Sequence, residues 1–285
     1  MLEHIDVLVI DLQDVGSRYY TYIWTMALCM EACAEHGCDI WVLDRPNPIG
    51  GELVEGPVLD MDSRSFVGLY PLPPRHGMTI GEIAEYINTE FYIGASLNVV
   101  EMTGWDRSMY FGDTGLPWIM PSPNMPTVDT ALVYPGQCLL EGTNISEGRG
   151  TTRPFELWGA PFLRPDFALP ELPGCHMRPV QFQPTFDKFA GQVIPGFQIH
   201  VTDRQIFQPF RCTMEILAGF IGNEGFELLP PPYEYEAEKS PLHILLGRGD
   251  IVNMLMEGAT YNDMLSEWLD SLKDWNEKRK AYLRY

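Results

Sequence analysis

The chain has 285 residues, 45% hydrophobic and 20% charged, a balance that supports an ordered core large enough for one big domain or two smaller ones. Its 39 acidic against 19 basic residues leave a formal charge of -20, which opposes a nucleic-acid or anionic-membrane partner. No basic-then-apolar leader opens the sequence and no bilayer-length apolar run interrupts it, so it reads as soluble, without a transmembrane segment.

The apolar run Ile5 to Ile10 predicts a strand, and helical spacing follows from Ile23 to His36, with Gly37 as its stop before a second strand from Asp39 to Leu43. Strand, helix, strand at this spacing predicts a right-handed parallel unit. Asp11, Gln13 and Asp14 then follow one strand, and Asp44, Arg45 and Asn47 the other, at the carboxyl edge where open parallel sheets bind ligands. Thr79 with Glu82 three residues later predicts a capped helix over 77–90, immediately after Arg75 and His76. A strand is expected at Asn98 to Met102. The aromatic, proline-rich stretch beyond it, which includes Asn124, exceeds an ordinary loop and suits a ligand wall.

These elements predict an α/β protein: a mostly parallel, Rossmann-like sheet with helices on both faces over residues 1–130, then a smaller α+β domain over 131–285. In the second part, strand character is expected at 196–202 and helices at 210–220, 251–257 and 261–285. The last of these is amphipathic through Leu265, Trp268, Leu269, Leu272 and Trp275, which packing alone explains.

The segment from Tyr134 to Phe155 crowds Glu141, Asn144, Ser146, Glu147, Arg149, Thr151, Thr152 and Arg153 between apolar runs. Glycines at 142, 148 and 150 allow tight turns there. Such a loop can surround a polyhydroxylated ligand, or be an ion-paired surface connection. Glycoside hydrolysis would use Glu141 and Glu147 as its carboxylates. A metal-dependent hydrolase drawing on Asp11, Asp14, Asp44, His76 and Glu82 stays open, although no close histidine pair supports it. Ser146 lacks a nucleophile elbow, and the single glycine of DLQDVGSRYY argues against a dinucleotide, so no cofactor and no metal is expected. The six cysteines do not form a dense disulfide framework. Cys29 and Cys33 read as small core groups, a usage suited to reducing surroundings.

Eight segments in order, IDVLVIDLQDVGSRYYTYIWTM, VLDRPNPIGG with VEGPVLD, SFVG, RHGMTIGE, GLPWIMPSPNMPT, YPGQCLLEGTNISEGRGTTRPFELWGAPF and GFQIHVTDR, are similar to the bacterial exo-beta-N-acetylmuramidase family. The resemblance implies a Rossmann-like domain joined to a smaller C-terminal domain, and an extracytoplasmic enzyme releasing terminal N-acetylmuramic acid from peptidoglycan fragments. It implies that Asp14, Arg18, Tyr20, Asp44, Arg45, Asn47, Arg75, Asn124, Asn144 and Arg149 contact the amino sugar. Glu147, Glu141 and His76 are implied in catalysis, with Glu147 transferring the proton. Members of the family carry a further, catalytic-looking Pro-Glu-His-Gly type stretch ahead of the equivalent of Ile5. The sequence between Met1 and Ile5 has no counterpart, so the expectation is a chain that binds substrate and turns it over weakly.

Overall fold

The computed structural model describes residues 2–164, 167 and 169–285. Its first half is built from β1 (Val7–Ile10), α1 (Tyr22–His36), β2 (Asp39–Leu43), α2 (Ile80–Glu90) and β3 (Leu97–Val100). The strands pair in parallel in the order β1-β2-β3, with Val9 beside Trp41 and Ile10 beside Val42. Gly37 closes α1 at φ 68°, the left-handed cap that its position in sequence predicts. Thr79 and Glu82 form the expected capping box: Glu82 accepts from the Thr79 amide at 2.9 Å while the Thr79 hydroxyl accepts from the Glu82 amide at 3.3 Å.

The helices do not cover both faces of this sheet. Two right-handed crossovers that both advance the strand order in one direction place their helices on one side, and only a reversal of that order would put a helix on the other. Accordingly Trp24, Met26, Ala27, Met30, Ile83, Ala84 and Ile87 form one core with Ile10, Ile40 and Val42. The opposite face leaves Val7, Val9, Trp41 and Val100 at 39, 52, 40 and 40% exposure, although parallel sheets are ordinarily buried on both sides.

The second half adds α3 (Val128–Gln137), β4 (Leu157–Gly159), β5 (Cys175–Phe182), β6 (Ile194–Val201), α4 (Pro209–Phe220), α5 (Pro241–Leu246), α6 (Gly249–Met256) and α7 (Tyr261–Arg279). Its strands pair antiparallel in the order β4-β6-β5. Pro135 and Gly136 hide α3 from sequence reasoning, since both are poor interior residues. Packing explains the glycine: a Cβ there would lie 1.9 Å from the Pro209 carbonyl oxygen at the start of α4.

The halves are joined by shared core and by the C-terminal strap. One apolar cluster draws Val15, Tyr19, Tyr20, Ile49 and Val67 together with residues of α3 through α7. The end of α7 returns to the first half, where Trp275 enters the sheet core and Arg279 donates to the carbonyls of Gly51 (2.8 Å) and Gly77 (2.6 Å). The six cysteines are free thiols. Among the described residues no helix is long and apolar enough to cross a membrane.

Candidate active site

The polar residues following β1 and β2 meet at the sheet's carboxyl edge and divide into ligand candidates and struts. Asp14 Oδ2 accepts from the Gly16 amide at 2.7 Å and lies 3.2 Å from His76 Nε2, while its Oδ1 is buried without a hydrogen-bond partner among the described residues. His76 Nδ1 accepts from the Met78 amide at 3.2 Å, which puts the ring proton on Nε2, facing Asp14. The imidazole is wholly buried. Its Nε2 makes no hydrogen bond among the described residues and has Asp14 as its near carboxylate.

Asp44 sits at the N-terminus of α2, accepting from the Gly81 amide (2.8 Å), the Thr79 hydroxyl (2.7 Å) and the Tyr285 hydroxyl (3.0 Å). Burial raises its pKa, and those hydrogen bonds oppose the rise. Its oxygens serve to anchor a helix and the C-terminal strap. Arg45 pairs with Asp11 at 2.6 Å on the surface.

Three residues expected at the sugar are interior struts. Asn47 bonds the Met78 carbonyl and the Ile49 amide at 3.0 and 3.1 Å, and Arg75 bonds Glu55 and the Ile49 carbonyl, both at 2.8 Å. Arg18 donates to the carbonyls of Leu72, in the first half, and Leu245, in the second, and burial lowers its pKa to about 10. Asn144 likewise clamps the Gly225 carbonyl and the Glu227 amide at 2.7 and 3.0 Å. Tyr20 lies edge-on between the rings of Tyr22 and Tyr134, and Asn124 is partly exposed in the proline-rich connection.

The Tyr134–Phe155 segment supplies the other charged group. Arg149 donates to Glu141 at 2.5 Å and lies 3.2 Å, through Nε, from Glu147, with its guanidinium 5.0 Å over the Phe155 ring. Lys188 meets the second Glu147 oxygen at 3.0 Å and also donates to the Leu140 and Ile145 carbonyls. Gly148 makes this turn possible: at φ 76° its Cβ would stand 2.6 Å from the Leu157 carbonyl oxygen.

The group is layered. Glu147 is 1% exposed and burial raises its pKa, against the opposing pull of Lys188 and Arg149. Burial works against the Arg149 charge too, but Glu141 and Glu147 outweigh it and hold the guanidinium firmly protonated. Glu141 stands at the front, where Tyr233 donates to its second oxygen at 2.7 Å.

Glu141 and Arg149 open into a cavity of about 480 Å³ at the seam of the two halves, within the roughly 300–1,000 Å³ range of ligand sites. Tyr19, Trp24 and Phe66 line it from the first half, and Tyr134, Tyr233 and Tyr235 from the second. Sequence reasoning passed over Lys188 and these aromatics. The alternating Tyr233-Glu234-Tyr235-Glu236 pattern after the proline run was the available signal.

A parallel sheet with polar loops at its carboxyl edge, joined across a carboxylate- and guanidinium-lined cavity to an α+β unit, defines a two-part α/β protein with a polar cavity at its seam. The chain belongs to the exo-beta-N-acetylmuramidase NamZ family, whose N-terminal model matches residues 1–129 and whose C-terminal model matches 132–285. It is similar to the peptidoglycan beta-N-acetylmuramidase NamZ of Bacillus subtilis strain 168, at 46% identity over 100% of this chain and 69% of that protein. Two crystal structures of domain-of-unknown-function 1343 family proteins from Bacteroides fragilis are also similar. One has a TM-score of 0.89 at 30% identity, covering 100% of this chain and 76% of its own, and the other 0.79 at 29%, covering 98% and 75%.

Proposed function

We propose that this chain recognises a terminal, β-linked N-acetylmuramic acid of peptidoglycan fragments and takes part in its exo-hydrolytic release. The family match along the whole chain, with Arg149 facing the seam cavity, carries this reading. The lactyl ether that distinguishes this sugar ends in a carboxylate, and a rigid guanidinium fork can pair it at two points. Arg149 is the arginine of the expected set that meets the cavity, with 26% of its side chain exposed. Local attraction must overcome the overall charge of -20, which burial of Arg149 in a low-dielectric wall favours.

The depth order of the carboxylates shapes the roles proposed for them. Glu141, at the front, is the carboxylate able to meet the sugar, and Glu147 holds Arg149 and Lys188 from behind. Asp14, with one oxygen lacking a hydrogen-bond partner among the described residues, is the second candidate, buried at the sheet edge beside His76. Glycosidases need one carboxyl to give a proton while another stays ionised. Glu141 and Glu147 both touch the Arg149 guanidinium, Glu147 from a buried position that raises its pKa and Glu141 at the cavity wall.

The test is a pair of chromogenic β-glycosides, of N-acetylmuramic acid and of N-acetylglucosamine, which differ in the lactyl group. The expected preference for the first is roughly tenfold or more, from one charge-assisted hydrogen-bond pair. Equal cleavage of both would refute recognition of the lactyl carboxylate. Binding of free N-acetylmuramic acid with no cleavage of either glycoside would establish the binding role without turnover.

A further inference from the structure

Phe66, Tyr233 and Tyr235 form an aromatic group at the rim of the seam cavity that the carboxylate chemistry does not use. Two of the rings ride on a hairpin turn closed by reciprocal backbone bonds between Tyr233 and Glu236, at 2.8 and 2.9 Å, with Glu234 at φ 47° as its first inner residue. Tyr233 is moored to the cavity wall by its bond to Glu141. Phe66 comes from the other half of the chain, its ring 5.7 Å from Tyr233 and 5.6 Å from Tyr235, edge-on at 86° to the latter. Tyr235 is nonetheless 89% exposed.

A ring held in place but left in solvent contributes little to folding, because it removes almost no apolar area from water. Its position beside the cavity suits a different use. A pyranose has an apolar C–H face that packs on an aromatic ring, and hydroxyls that need donors and acceptors around the rim. The cavity provides both: the three rings on one side, and Glu141, Arg149 and the exposed Thr21 and Thr25 elsewhere on its lining.

We infer that Phe66, Tyr233 and Tyr235 form a stacking platform for the second sugar ring of the substrate, the one joined through the scissile oxygen to the terminal residue at Arg149. This rests on the proposed binding of terminal N-acetylmuramic acid. Calorimetric titration of the full chain separates the two ideas. The probes are free N-acetylmuramic acid, a non-hydrolysable sulfur-linked disaccharide with N-acetylmuramic acid at its non-reducing end, and N-acetylmuramic acid bearing a short stem peptide.

The unaltered chain should bind the disaccharide roughly tenfold more tightly than the monosaccharide, as expected for one stacked ring. Tyr235→Ala should erase that ratio and Tyr235→Phe should restore it, and the exposure of Tyr235 keeps both variants folded. No preference in the unaltered chain, a preference that survives Tyr235→Ala, or one directed to the peptide-bearing ligand would overturn the platform. Disaccharide binding lost in Tyr235→Ala and kept in Arg149→Met would uphold the platform while rejecting Arg149 as the anchor.

Discussion

Val9 and Val42 test the one-sided sheet with the same substitution on its two faces. Val9 is 52% exposed on the bare face, and Val42 is completely buried beneath α1 and α2. Threonine matches valine in shape but exchanges a methyl for a hydroxyl. At position 42 that hydroxyl has no water to bond, and an unsatisfied buried polar group costs about 1–3 kcal/mol beyond the lost methyl packing. A loss of about 2 kcal/mol is therefore expected for Val42→Thr. At position 9 water reaches the hydroxyl, and the change should stay within about 0.5 kcal/mol. Urea titration followed by tryptophan fluorescence reads both, with the Val42→Thr midpoint falling by roughly 0.7–1 M at unchanged slope. If Val9→Thr loses as much as Val42→Thr, the outer face is covered in solution and the one-sided sheet is wrong.

Arg149→Lys keeps the charge but not the planar fork, so affinity for N-acetylmuramic acid should fall roughly tenfold in calorimetry; an unchanged affinity would remove Arg149 from carboxylate recognition. Burial raises the Glu147 pKa in the folded chain. Its contribution is then complete below the unfolded value of about 4.3 and is lost as pH rises through the higher folded value. Glu147→Gln should flatten the stability-against-pH curve just above the ordinary glutamate range, and identical slopes for parent and variant would contradict the shift. Gly148→Ala combines a left-handed backbone with a 2.6 Å approach to the Leu157 carbonyl and should cost about 2 kcal/mol or more in the same urea assay. A cost below about 0.5 kcal/mol would show that the turn is not held as described.

Local chemistry determined much of this protein. The strand at Asp39–Leu43, the glycine cap at Gly37 and the capping box at Thr79 are legible because hydrophobic period and cap residues act within a few positions of chain. The grouping of Glu141, Glu147 and Arg149 was legible in part, since they lie within eight residues of one another and Gly142 and Gly148 let the chain turn back between them. Family-like segments spread along the chain pointed to the two-part α/β architecture that the structure has. Tertiary structure decided what no local rule encodes. The single direction of the strand order left one sheet face bare, and close packing of Gly136 on Pro209 stabilised a helix that propensity disfavours. It engaged Arg18, Arg75 and Asn47, expected at the sugar, in interior hydrogen bonds, because a buried guanidinium or amide must bond whatever the fold places beside it. It also brought Lys188 behind Glu147, and Tyr233 and Phe66 to one rim, across separations for which the chain carries no short-range signal.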